Sequence, residues 1–193
     1  MRPSRFAMNA EEFKREWTGA GDTLIAFTPE SLQGLALPEA SITFLVNAGL
    51  PDSAAPFLDF FGHGSRRLQP ASKAYSLGPE FDRFLCIGTN DSGDPLCIDA
   101  ESNGTVTLLF HDDNFRPVRV NSSVEQLATS LLSFRKLVDA ACELNGEDAF
   151  LDGDIPSHLI QTLEEELTAI DPACMIERSF WPTEIRSLRQ MTA

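Results

Sequence analysis

The chain is short of positive charge. Fifteen lysines and arginines face 29 aspartates and glutamates over 193 residues, a formal net charge of −14. Almost two acids per base is not the electrostatic footprint of a nucleic-acid or anionic-membrane binder. Long apolar runs are missing too. No window approaches the roughly 18 uninterrupted apolar residues that a membrane helix needs. The first residues carry Arg2, Arg5, Lys14 and Arg15 but no apolar stretch of secretory-signal length follows them. The four cysteines (Cys86, Cys97, Cys142 and Cys174) form no CxxC pair and sit in apolar surroundings. That pattern predicts buried thiols in a reducing cytosol rather than disulfides or a metal cluster. The expected location is cytoplasmic.

Catalytic and cofactor signatures are equally sparse. His63, His111 and His158 lie far apart, none with a second ligand at metal spacing. Gly62-His63-Gly64-Ser65 lacks the Gly-x-Ser-x-Gly order of a nucleophile elbow. No phosphate-cradling glycine loop or dinucleotide fingerprint occurs. Asn90-Asp91-Ser92-Gly93-Asp94 offers oxygen ligands but no bidentate glutamate at the twelfth position of a calcium loop, and a hairpin turn explains the same residues. Asp148, Asp152 and Asp154 read as a solvated connector. His111-Asp112-Asp113 leaves a hydrolase or metal-dependent enzyme as the third functional reading. The expectation is no catalytic residue, no metal and no cofactor.

What is present is an ordinary globular composition, 42% hydrophobic and 23% charged, of a length suited to one domain over residues 1–193. Asn9 caps a short helix whose Phe13 and Trp17 are four apart, with Gly19 as its stop. Residues 23–27 suit a strand, 38–49 a helix ended by Gly49-Leu50-Pro51, 56–61 a strand and 62–72 a loop. Residues 81–88, 95–99 and 105–110 are β-prone runs separated by turn chemistry, with a further strand at 116–120: an antiparallel meander. Ser122 and Glu125 have capping-box spacing at the head of a long helix, with Asn121 as an alternative cap. Its stripe runs Val124, Leu127, Leu131, Phe134 and Val138, and Gly146 ends it. A second helix spans about 156–170, and 181–188 forms a last one. Helices, then a meander, then helices point to an α+β fold with a mixed, mostly antiparallel sheet flanked by helices.

The acids are unevenly placed. Residues 137–176 hold ten and no lysine or arginine, and 80–113 hold eight with only Arg83 opposing. Unpaired like charge costs stability and speeds docking of a basic partner. The favoured partner-facing residues are Asp91, Asp94, Glu101, Asp112 and Asp113 in the meander loops, with the connector from Asp148 to Asp154 as the alternative.

The ordered motifs Leu37-Pro38, Phe44-Leu45, Gly49-Leu50-Pro51, Ile87-Gly88-Thr89-Asn90, Gly93-Asp94-Pro95-Leu96-Cys97-Ile98-Asp99, Gly104-Thr105-Val106 and Val120-Asn121-Ser122-Ser123-Val124-Glu125-Gln126-Leu127 resemble the SUKH superfamily. Within it they resemble the fourth group of SUKH immunity proteins. The match spans about residues 29–144, with a weaker echo in Asp171-Pro172 and Phe180-Trp181. The resemblance implies a SUKH-like α+β fold and a cytoplasmic antidote to a cognate polymorphic toxin. Such toxins are often nucleases or nucleic-acid deaminases with basic surfaces. It brings no catalytic residue across. Relatives also act as regulatory or scaffold protein-interaction modules, which is the second functional reading. Oligomeric state is left open.

Overall fold

The computed structural model describes residues 8–19, 21–60 and 67–192. His63 and the Gly62–Ser65 stretch lie outside them, as does the end of the strand expected over 56–61. Asn9 opens the first helix, α1 (Ala10–Thr18). Its side chain accepts from the Glu12 N–H at 3.0 Å, and the Glu12 carboxylate accepts from the Asn9 N–H at 3.1 Å. Two donors that a helix start leaves orphaned are thereby satisfied. Phe13 and Trp17 form the buried stripe.

The strand expected at 23–27 does not form. Ile25 makes a single bridge to Leu50, with N–H···O distances of 2.8 and 3.2 Å, and the Phe27 N–H donates to the Leu45 carbonyl. Gly49 permits that approach. It has φ +79°, and a Cβ there would lie 2.1 Å from the Ile25 carbonyl oxygen. Two helices flank this contact, α2 (Pro29–Leu32) and α3 (Glu39–Asn47).

Among the described residues, seven strands form one sheet: β1 (Ser53–Ala54), β2 (Leu58–Phe60), β3 (Gln69–Pro70), β4 (Phe84–Asn90), β5 (Pro95–Asp99), β6 (Thr105–Phe110) and β7 (Arg116–Asn121). Their order is β1-β2-β4-β5-β6-β7, β3 also pairs with β4, and each of these pairings is antiparallel. The meander β4 to β7 is the one the turn residues predicted. The stretch 67–72, expected as loop, instead supplies β3 and the start of α4 (Ala71–Ala74).

Both faces of the central strands are covered, which is why β4, β5 and β6 read as continuous apolar runs rather than alternating ones. Leu85, Ile87, Leu96, Ile98, Val106 and Leu108 join the main core. Phe84, Cys86, Cys97 and Leu109 face the other way, under Tyr75, Phe81 and Phe115. Cys86 and Cys97 are register partners with sulfurs 3.5 Å apart, and all four cysteines are free thiols. Cys142 departs from expectation in being only half-buried, because it lies in the last turn of its helix, where the core ends.

Three helices close the main core: α5 (Val124–Asn145), α6 (Ser157–Ile170) and α7 (Phe180–Met191). The 22 residues of α5 reach about 33 Å along the sheet. Its cap differs from expectation by one residue. Ser123 accepts from the Gln126 N–H at 3.3 Å, while Asn121 and Ser122 do other work. The Asp171 carboxylate, 2% exposed, accepts from the Ser122 N–H at 2.6 Å and its hydroxyl at 3.0 Å. Asn121, fully buried, accepts from the Trp181 indole at 3.0 Å and donates to Ser130 at 3.2 Å. The signature after the meander is thus a polar clasp joining β7, α5, the end of α6 and α7. Charge-assisted bonds of this sort are about twice as strong as neutral ones.

Candidate functional site

An antiparallel meander sends alternate turns to opposite ends of a sheet, and that splits the candidate acids. The β4–β5 turn with Asp91 and Asp94 shares one end with the β6–β7 connection, where Asp112 and Asp113 lie. Glu101, in the β5–β6 turn, is at the other end, 3.2 Å from the Arg83 guanidinium. Arg83 also grips Asp99, its Nε 2.8 Å from Oδ1. Burial raises the Asp99 pKa, but hydrogen bonds from Arg83, Ser102 and the Glu101 N–H outweigh it and leave the carboxyl below its ordinary value.

Asp94 turns inward, 1% exposed. Its carboxylate accepts from the His111 N–H at 2.8 Å and the Asn90 side-chain amide at 3.0 Å, and lies 2.5 Å from the His111 ring Nδ1. It ties two loops together and presents no carboxylate to a partner. Asp113 is half-exposed and 2.5 Å from the Arg116 guanidinium. Asp91 and Asp112 are the two exposed members without a lysine or arginine partner among the described residues.

His111 sits between two carboxylates, with Asp112 Oδ1 3.3 Å from Nε2. Its Nδ1 faces the buried Asp94, and its Nε2 faces the exposed Asp112. No group of three or more histidine, cysteine, aspartate or glutamate side chains among the described residues is placed to hold a metal ion. None of the helices among the described residues is long and apolar enough to cross a membrane.

The two acid-rich blocks meet at a groove of about 570 Å³ between α1, α5 and the β1–β2 hairpin. Asp91 reaches it from the first block and Asp139 from the second, joined by Asp22 and Asp59. Trp17, Leu58, Val138 and Phe150 supply its apolar lining. Arg135 is its one cation among the described residues. The guanidinium lies 4.9 Å over the Trp17 ring, donates to the Trp17 carbonyl at 3.0 Å, and sits 2.7 Å from Asp22 and 3.6 Å from Asp139. The Trp17 indole N–H is buried without a partner among the described residues. Phe57 and Leu151, at the rim, are 53% and 65% exposed. A second hollow of about 660 Å³ between α6 and α7 has Ser157, Gln161, Glu164 and Arg189 in its wall and no apolar side chain.

Sequence reading missed Asp22, Asp59 and Phe57 because Asp22 stands in a loop and Phe57 and Asp59 share one short hairpin, and neither segment carries a periodic signal. Asp139 was counted within its block, but only the fold sets it opposite Asp91.

Comparison with known proteins gives a family and nothing finer. The model of the SUKH-4 immunity protein family matches residues 10–187 of the 193. Searches of curated proteins and of solved structures found no significant match. The matched span takes in α1, the meander, the polar clasp, the groove and most of α7. The chain belongs to the SUKH-4 immunity protein family.

Proposed function

We propose that this chain is a single immunity domain over residues 1–193 that acts in the cytoplasm. It neutralises a cognate toxin, of nuclease or nucleic-acid deaminase type, by reversible association and without catalysis of its own. The observation that carries the proposal is the family match across residues 10–187. The charge supports the toxin class. A protein with 29 acids against 15 bases complements the basic groove of an enzyme that binds phosphates, and carboxylates stand in for those phosphates while steering the encounter.

Asp91 and Asp112, exposed at one end of the sheet, are the meander acids best placed to meet such a partner. Glu101, at the far end, belongs to a separate surface. Asp113 shares its charge with Arg116, and Asp94 acts only through the loops it joins.

Co-expression tests the proposal. The toxin encoded beside this gene should arrest growth alone and fail to do so when this chain is present, and the two should co-purify. Persistent arrest with no complex contradicts it. A complex with a neighbour that is not toxic would favour the regulatory or scaffold role instead.

A further inference from the structure

We propose that the groove between α1, α5 and the β1–β2 hairpin is an anchor slot that receives a lysine or arginine side chain, flanked by an apolar residue, from the partner protein. The inference rests on the immunity reading and adds where the partner is gripped and by what chemistry.

Charge is the first support. Among the described residues, four aspartates line the groove against one arginine, and that arginine is already engaged by Asp22, Asp139 and the Trp17 ring. Asp59 and Asp91 remain without a lysine or arginine partner among the described residues. They are near neighbours, since Asp59 is in register with Thr89 and Leu58 with Asn90, one residue before Asp91. A partner cation that reaches both gains what neither now has. The four acids fall into two pairs, Asp22 with Asp139 on Arg135 and Asp59 beside Asp91, and no metal-binding group of three or more forms among the described residues. That arrangement suits a side chain on a polypeptide more than a bare ion.

Apolar surface is the second. Phe57 and Leu151 project at the rim, more than half exposed. Phe57 holds φ +58°, a backbone conformation uncommon for a bulky residue, and its ring leans on Phe150 with centroids 5.9 Å apart. Exposed apolar side chains framed by charge are the surface pattern of an interaction site, with the apolar part giving affinity and the charge giving orientation. The volume, about 570 Å³, falls in the roughly 300–1,000 Å³ range of binding clefts.

The indole N–H of Trp17 is the third. Trp17 is 3% exposed, lines the groove and lacks an acceptor among the described residues. A peptide carbonyl beside the incoming cation would supply one, which a simple cation would not. A second copy of this chain is disfavoured as occupant, because a two-fold interface there would set the same aspartates against one another.

The test uses the full chain and a catalytically inactive form of the toxin domain encoded beside it, with binding followed by calorimetry. The groove variants are the double change Asp59→Asn with Asp91→Asn, and separately Phe57→Ser. A double change Glu30→Gln with Glu165→Gln removes the same charge from exposed sites outside the slot. The slot predicts that each groove variant weakens Kd at least tenfold and the control less than threefold. Equal losses in groove and control variants, or none, overturn it. Hydrogen–deuterium exchange on the unmodified chain gives a second readout that needs no variant. Complex formation should protect residues 53–60 and 147–151, and a complex that leaves both unprotected also overturns the slot while the immunity reading stands. No complex at all overturns both.

Discussion

Asp94 and Asp112 both approach the His111 ring, yet the first side chain is 2% exposed and the second 75%. Burial decides what each is worth. Removing Asp94 strands the His111 N–H, its ring Nδ1 and the Asn90 amide, so Asp94→Ala should destabilise by about 2–4 kcal/mol. Asp112→Ala should stay within about 0.5 kcal/mol. Urea unfolding of the two variants separates them, and equal effects would contradict the assignment. Glu184 on α7 gives a pH prediction. Burial, then the nearby negative charge of Asp91, raises its pKa from 4.5 to about 7. Because the folded value lies above the unfolded one, its contribution to stability is fully present below pH 4.5 and is lost as pH rises through about 7. Glu184→Gln should remove that dependence, worth on the order of 3 kcal/mol. The difference in unfolding free energy between wild type and Glu184→Gln at pH 4.5 and 8 measures it, and a difference independent of pH would refute it.

At the scale of elements, the polar clasp matters most. Asp171 holds the head of α5 to the end of α6, and Asn121 ties β7 to α7 through Trp181. Asp171→Ala leaves the Ser122 N–H and hydroxyl unpaired and should cost about 3 kcal/mol. Thermal unfolding would show it, and an unchanged Tm would mean the clasp is dispensable. The same clasp shows where sequence reading stops. The stripe of α5, the Asn9 cap of α1 and the turns of the meander depend on neighbours within a few residues, and all were legible. The α5 cap was misread because Ser122 is claimed by a carboxylate 49 residues away, and local spacing carries no sign of that. The apolar run at 23–27 has strand composition, but among the described residues it finds one bridge, to Leu50, and no neighbouring strand. β3 and α4 hide in a stretch rich in serine and arginine because their order comes from packing against β4.

Across the whole molecule, the family and the charge were readable and the candidate surface was not. The two acid blocks are far apart in sequence. Only the fold brings Asp91 and Asp139 to one groove and sends Glu101 to the opposite end of the sheet. Charge of this sign acts at long range on a basic partner, so the association rate should fall about tenfold or more between low and physiological salt, with a smaller change in the dissociation rate. The most direct measurement is equilibrium binding of the purified chain to the cognate toxin domain proposed for it, at low and at physiological salt. A tight complex that weakens as salt rises, and that silences the toxin in stoichiometric amount, is the predicted result. No complex at micromolar concentrations of both proteins, with the toxin still active, would contradict it.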